Sequence, residues 1–258
     1  MGQIIVVTSL KGGVGKTVFS ASLAYAMARL GKRVLAVDMD LGTGGLDIAL
    51  GREDSVLPTF LDLLNDPASR EDAFVLGSDG IYFLSAPVFF NETALENVEQ
   101  SAFDDLIAYV KDRFDAVIFD MPAGGGAAFR FLEDCPMVDQ TLLVTTSAPT
   151  AIRAAERCAM RLKSPEKAKL LLNCFHVSRP GDNPFRVVEV IMRTSVPILG
   201  VVPFDEGAER SLAKGVPLAA NKKSLVGNAA ANVALRLMGE TVPLFSGVMP
   251  KRKRIRFY

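Results

Sequence analysis

The sequence predicts a single α/β domain built on a mostly parallel sheet with helices on both faces. Three observations predict it. Short β-branched runs such as Ile4-Ile5-Val6-Val7 are apolar at every position, as strands covered on both faces require. Longer stretches with helical spacing separate these runs, and strand–helix alternation calls for parallel pairing. A Gly-rich turn joins the first strand directly to the first helix. With 258 residues, 49% of them hydrophobic, the chain buries a large core without disulfides and is too apolar to be disordered.

The elements follow in order. Strand 4–7 feeds the Gly-rich turn and an Ala-rich helix from Thr17 to Leu30, with Gly31 as its C-terminal stop. The second strand, 33–37, ends at Asp38. Further strands are expected at 81–85, 116–120, 141–145, 170–173 and 198–203, with helices near 101–114, 150–163, 183–193 and 224–239. No linker or internal repeat interrupts residues 1–240, which read as one domain, and residues 241–258 read as a short basic tail.

Lys+Arg and Asp+Glu balance at 29 each. The balance hides an asymmetry: residues 251–258 carry five basic side chains and no acid, which leaves 24 basic against 29 acidic, a net charge of −5, over residues 1–250. Cys135, Cys158 and Cys174 lack zinc or disulfide spacing and suit a reducing cytoplasm. No secretory signal pattern opens the sequence, and no run approaches the roughly 18 apolar residues of a membrane span.

The chemistry concentrates in Lys11-Gly12-Gly13-Val14-Gly15-Lys16-Thr17. Glycines let backbone N–H groups converge on phosphate oxygens, and the helix start adds its positive end. Lys16 suits the β/γ-phosphates and the Thr17 hydroxyl suits Mg²⁺. Leu10 occupies the first Gly position of the ordinary phosphate loop, and Lys11 is an added cation. A P-loop NTPase domain is the fold this motif implies.

With these residues the chain resembles the MinD/ParA family of deviant Walker A ATPases, over most of residues 1–240. Val37-Asp38-Met39-Asp40-Leu41-Gly42, Phe119-Asp120-Met121-Pro122-Ala123-Gly124 and Gly200-Val201-Val202-Pro203 extend the likeness, which is greatest to the MinD branch. The resemblance implies an ATPase that binds ATP and Mg²⁺, forms an ATP-dependent homodimer, and reaches the partner's nucleotide with Lys11. It implies catalytic roles for Lys11, Lys16 and Asp40, the last placing the attacking water. It implies metal-site roles for Thr17, for Asp120 as the Walker B acid and for Asp38 in the outer shell. The nucleotide would meet Gly12, Gly13, Val14, Gly15, Lys16, Thr17 and Val18, with the base near Asn173 and Pro203.

Asp38, Asp40 and Asp120 follow apolar strands, at the sheet edge where α/β folds collect ligands. Loop capping is the alternative role for Asp38 and Asp40, and a turn role the alternative for Asn173. The stretches 42–45 and 124–126 read as γ-phosphate-sensing switch loops. Val18 stands where many relatives carry a hydroxyl for the α-phosphate, so one hydrogen bond, about 0.5–1.5 kcal/mol, is missing. The lone His176 reads as a loop histidine with a partner of its own.

In the tail, Leu244, Phe245, Val248 and Met249 share one helical face, followed by Lys251–Arg254 and Arg256 among Ile255, Phe257 and Tyr258. Such a segment fits an anionic membrane surface, with Pro243 and Pro250 limiting its helix. Nucleic acid and self-docking are the alternatives. The functions open at this point are a MinD-type spatial regulator of division, cycling between cytoplasm and membrane with an activating protein partner, a ParA-type DNA partition ATPase, and an FlhG-like regulator of flagellar number.

Overall fold

The structure, a computed structural model, describes residues 2–41, 44–53, 58–71, 73–87, 95, 98–124, 126–176 and 184–248. Its sheet contains β1 (Gln3–Ser9), β2 (Val34–Asp38), β3 (Val75–Leu76), β4 (Ile81–Leu84), β5 (Ala116–Ala123), β6 (Gln140–Thr145), β7 (Ala168–Phe175) and β8 (Ile198–Pro203). The strand order is β3-β4-β2-β5-β1-β6-β7-β8. Every neighbouring pair is parallel except β3 with β4. The helices are α1 (Lys16–Arg29), α2 (Leu46–Leu50), α3 (Phe60–Asn65), α4 (Gln100–Arg113), α5 (Gly126–Asp134), α6 (Pro149–Ala159), α7 (Pro184–Thr194), α8 (Ala208–Ala213) and α9 (Leu225–Leu237).

Alternation along the strands divides the core. Ile5, Val7, Val34 and Ala36 face α1, α2 and α9, whereas Ile4, Val6, Leu35 and Val37 face α3, α4 and α5. Leu143, Leu170 and Leu172 extend the second face beneath α6 and α7. α1 is shielded on its outer side by α9 and by the turn Leu218–Ala220, so Leu23 and Ala24 are sealed from water. Gly31, at φ +78°, lies beyond the α1 C-cap in the left-handed region where a glycine carries no Cβ penalty.

The seven strands and five long helices expected from the sequence are present. β3, α2, α3, α5 and α8 were not expected. The helix expected to run to residue 163 stops at Ala159, with Met160 and Arg161 closing its last turn.

The chain beyond α9 departs from the expected amphipathic helix. Residues 244–248 form turns, and the segment runs back along α9. Arg236 donates to the carbonyls of Val242 and Pro243, Asn232 to that of Ser246, and Asn228 to that of Gly247. Val248 is 2% exposed within the main core, and Leu244 and Phe245 pack on its margin. The apolar side chains assigned to a membrane face are used by the body instead, because the carbonyls on this Pro-bounded segment find donors spaced i, i+4, i+8 on α9. Met249, Pro250 and the basic residues 251–258 lie outside the described residues.

Candidate nucleotide site

β1 delivers the chain into the phosphate loop from the middle of the sheet, between β5 and β6. Gly13 (φ +73°) and Gly15 (φ +83°) hold left-handed conformations, and Gly15 is the N-cap of α1. Buried Val14 anchors the loop between them. Ser9 secures its base: the side chain accepts from Lys11 N–H at 3.1 Å, and the carbonyl accepts from Gly124 N–H at 3.1 Å. Gly12 lies over Ala123, so the glycines of the loop and the end of β5 line one edge.

Lys16 is buried at the first position of α1. Burial lowers its pKa, partly offset by the negative charge of Asp120 and then of Asp40. The Lys11 ammonium is on the rim and has no ion-pair partner among the described residues. One cation is therefore buried in the loop, and the second is half-buried at its start.

Asp120 is the buried centre of the site. Register pairs it with Val7 of β1 and with Asp38 of β2. Its carboxylate accepts from Thr17 Oγ1 at 2.6 Å and from Ser20 Oγ at 2.8 Å. Burial pushes its pKa up to about 6, while the two hydroxyls and Lys16 pull it down. Asp38 accepts on Oδ1 from Asp40 N–H at 2.9 Å and on Oδ2 from Leu46 N–H at 3.0 Å. Burial, then the Asp120 charge, raises its pKa to about 7. Both Asp38 oxygens are thus engaged in bracing the turn into α2, the loop-capping role open to it from the sequence. Asp40 lies half-buried at the mouth, where its carbonyl accepts from Gly44 N–H. Of the two stretches read as switch loops, residues 42, 43 and 125 lie outside the described residues.

Beside the loop is an apolar cavity of about 90 Å³ bounded by Gly15, Val18, Asn173, Cys174, Pro203 and Phe204. The sequence-expected base residues Asn173 and Pro203 therefore meet the phosphate loop at one cavity. Asn173 is nevertheless committed in part. Its Nδ2 donates to Val14 O at 2.8 Å and to Gly15 O at 3.5 Å, fastening β7 to the loop. A Cβ on Gly15 would overlap that amide nitrogen. His176 stacks on Phe204, with ring centroids 4.2 Å apart, at the same end of the sheet.

Sequence reasoning missed Ser20. It is fully buried and lies three residues after Thr17, a spacing that puts both hydroxyls on one face of α1 toward one carboxylate. The described residues contain no group of three or more His, Cys, Asp or Glu side chains arranged to hold a metal. One hydroxyl and one carboxylate beside a phosphate cradle is nonetheless a donor set that fits Mg²⁺, which keeps water and substrate oxygens in its remaining positions.

Comparison with known proteins agrees with this geometry. Residues 5–218 match the CobQ/CobB/MinD/ParA nucleotide binding domain. The chain is 35% identical over 247 residues to the septum site-determining protein MinD of Synechocystis, covering 94% of this chain and 92% of that protein. It is 33% identical over 252 residues to MinD of Bacillus subtilis, covering 95% and 92%. Among solved structures it resembles the MinC:MinD cell division complex of Aquifex aeolicus, with a TM-score of 0.82, 28% identity, and coverage of 94% of this chain and 98% of that one. It also resembles MinD complexed with Mg-ADP from Pyrococcus horikoshii, with a TM-score of 0.77, 28% identity, and coverage of 92% and 96%. The expected fold, ATPase class and cofactors are borne out, and the chain belongs to the MinD/ParA family of P-loop ATPases, which take ATP with Mg²⁺.

Proposed function

We propose that the chain is a division-site-placing ATPase of the MinD type, an ATP-dependent homodimer that exchanges between cytoplasm and the inner face of the membrane and responds to a protein partner. The observation that carries this reading is the division of labour between two lysines: Lys16 buried in the loop and Lys11 on its rim without an ion-pair partner among the described residues. A lysine buried in the loop serves the chain's own nucleotide, and a more accessible one without an ion-pair partner among the described residues suits a second copy's. The Aquifex neighbour assembled with MinC supports a partner of that kind.

In this reading, loop N–H groups and Lys16 hold the β- and γ-phosphates, and Thr17 and Asp120 hold Mg²⁺, which when bound neutralises phosphate charge. Asp40 accepts a hydrogen bond from the attacking water. Attack at the γ-phosphorus breaks its bond to the bridging oxygen and yields ADP and phosphate. Lys16 and the partner copy's equivalent of Lys11 neutralise charge as the bond breaks, so catalysis is mainly positioning. Asp38 holds the turn that aims Asp40.

Light scattering and phosphate release with ATP test the reading. Lys11→Ala should bind nucleotide normally yet form no ATP dimer and release no phosphate. Asp40→Ala should accumulate the dimer. An Asp40→Ala protein that hydrolyses ATP at the wild-type rate would remove its role.

A further inference from the structure

We propose that the end of α1 and the start of α9 form a second contact for anionic lipid, carried by the folded body beside the point where the chain leaves toward its basic tail. The choice of lipid as partner rests on the membrane reading of the tail.

Between these helices is a groove of about 240 Å³, bordered by Tyr25, Arg29, Leu30, Lys222, Asn228 and Ala231. The charge around it is one-sided. Residues 16–37 contain four basic and no acidic side chains, and residues 210–239 contain five basic and none acidic. These segments pack together as α1, α8, the turn at Leu218–Ala220 and α9. A body of net charge −5 therefore presents a layer whose only acidic side chain is Glu209, in the first turn of α8. Arg29, Lys222 and Lys223 are exposed, and Leu30, 41% exposed, projects among them.

The route of the chain gives the groove its context. The segment 242–248 runs from the end of α9 back toward its start, held by Arg236, Asn232 and Asn228 in turn. Asn228, which donates to the Gly247 carbonyl, is itself on the rim of the groove. In the sequence, residues 251–258 with their five cations follow the anchored Gly247 by four residues. Like charges gathered at one place repel unless they share a polyanionic partner. Exposed Leu30 and the ring of Tyr25 add apolar surface that suits a lipid interface better than a nucleic-acid backbone. The groove is at the opposite end of α1 from the phosphate loop, about 20 Å away at 1.5 Å per residue, so it is not part of the nucleotide site.

The test uses the full chain with ATP and vesicles of phosphatidylglycerol in phosphatidylcholine, with phosphatidylcholine alone as the control. Each cation near such a surface is worth about 1 kcal/mol, or roughly fivefold in affinity. Replacing Arg29, Lys222 and Lys223 together by Gln should weaken vesicle binding at least about tenfold and flatten its salt dependence. ATP binding and thermal unfolding should stay as in the wild type, since none of the three touches the loop. Leu30→Asp should weaken binding without removing a cation. If the triple variant binds vesicles like the wild type while removal of residues 249–258 abolishes binding, the body contact is wrong and the tail reading stands. If the intact chain ignores the vesicles, both are wrong. If the triple variant loses duplex DNA and keeps lipid, the layer is a nucleic-acid surface and the proposal is overturned.

Discussion

Ser20→Ala is the perturbation that interrogates the buried centre most directly. The hydroxyl is sealed from water and donates to Asp120 Oδ1 at 2.8 Å. Its removal leaves a carboxylate oxygen at 1% exposure without that donor, and a hydrogen bond to a charged group contributes about 1.5–3 kcal/mol. The cost should depend on pH. Asp120 has a folded pKa raised from 3.8 to about 6. Between those values the folded chain holds a proton that the unfolded chain has released, so this group's contribution to stability falls as pH rises and levels off above about 6. Losing Ser20 removes a donor to the ionised form, moves the folded pKa further up, and extends the decline to higher pH. Nucleotide-free protein unfolded in urea should therefore show a loss of about 2 kcal/mol near pH 8 and a smaller one near pH 5. Thr17 and Lys16 remain, so the site should still bind Mg-ATP, with reduced affinity. A loss that is equal at both pH values, or larger at the lower one, would refute the assignment of Ser20 as a donor to ionised Asp120.

Lys16→Ala should abolish ATP binding in calorimetry, because the triphosphate loses the cation buried in its cradle. Gly15→Ala should destabilise the protein by about 1–3 kcal/mol in thermal unfolding, through strain at φ +83° and overlap with the Asn173 amide; Asn173→Ala should relieve the second part and leave the first. Arg236→Gln should cost about 1–3 kcal/mol, since one guanidinium serves the carbonyls of Leu199, Val242 and Pro243. It should also expose residues 242–248 to proteolysis before the body unfolds. A protease pattern identical to the wild type would show that Arg236 does not hold that segment.

The long parallel strands were legible because burial on both faces forces continuous apolar runs, as in Val34–Val37 and Leu170–Leu172. β3 carried no such signal: its two residues are exposed and pair with β4 through backbone alone. α5 was hidden because it opens at Gly126, directly after glycines that read as loop. α3 announces itself only through the capping box from Thr59 to Asp62, with Asp in the place usually held by Glu or Gln. The phosphate loop was legible from spacing because its glycines answer to φ rather than to distant partners. Ser20 and Asn173 answer to partners across the sheet, at Asp120 and Val14, which no local pattern encodes. Asn228, Asn232 and Arg236 form a polar i, i+4, i+8 stripe on an otherwise apolar helix, and that spacing was a readable signal for a segment docked on α9.

Zero net charge conceals two poles joined by one helix. At the start of α1, Asp38 and Asp120 lie side by side in register, with pKa values pushed up by burial, that of Asp38 further by the Asp120 charge, and Lys16 is depressed by burial beside them. A bound cation beside these carboxylates would favour their ionised forms. At the other end of α1, Arg29 and Lys222 gather with no carboxylate on either parent segment. Most of the compensating acids lie in the rest of the chain. Ligands of opposite kind therefore suit the two ends: a metal-bound nucleotide beside the carboxylates and an anionic surface beside the cations. α1 packs along one side against β1, α9 and the turn after α8, which fixes the position of one end relative to the other. Nucleotide-dependent pairing of two chains would then set the spacing of two cationic poles. Two weak surface contacts at fixed separation bind far more strongly than one, and on the proposed dimer this would make the nucleotide at one end of α1 a control on attachment at the other.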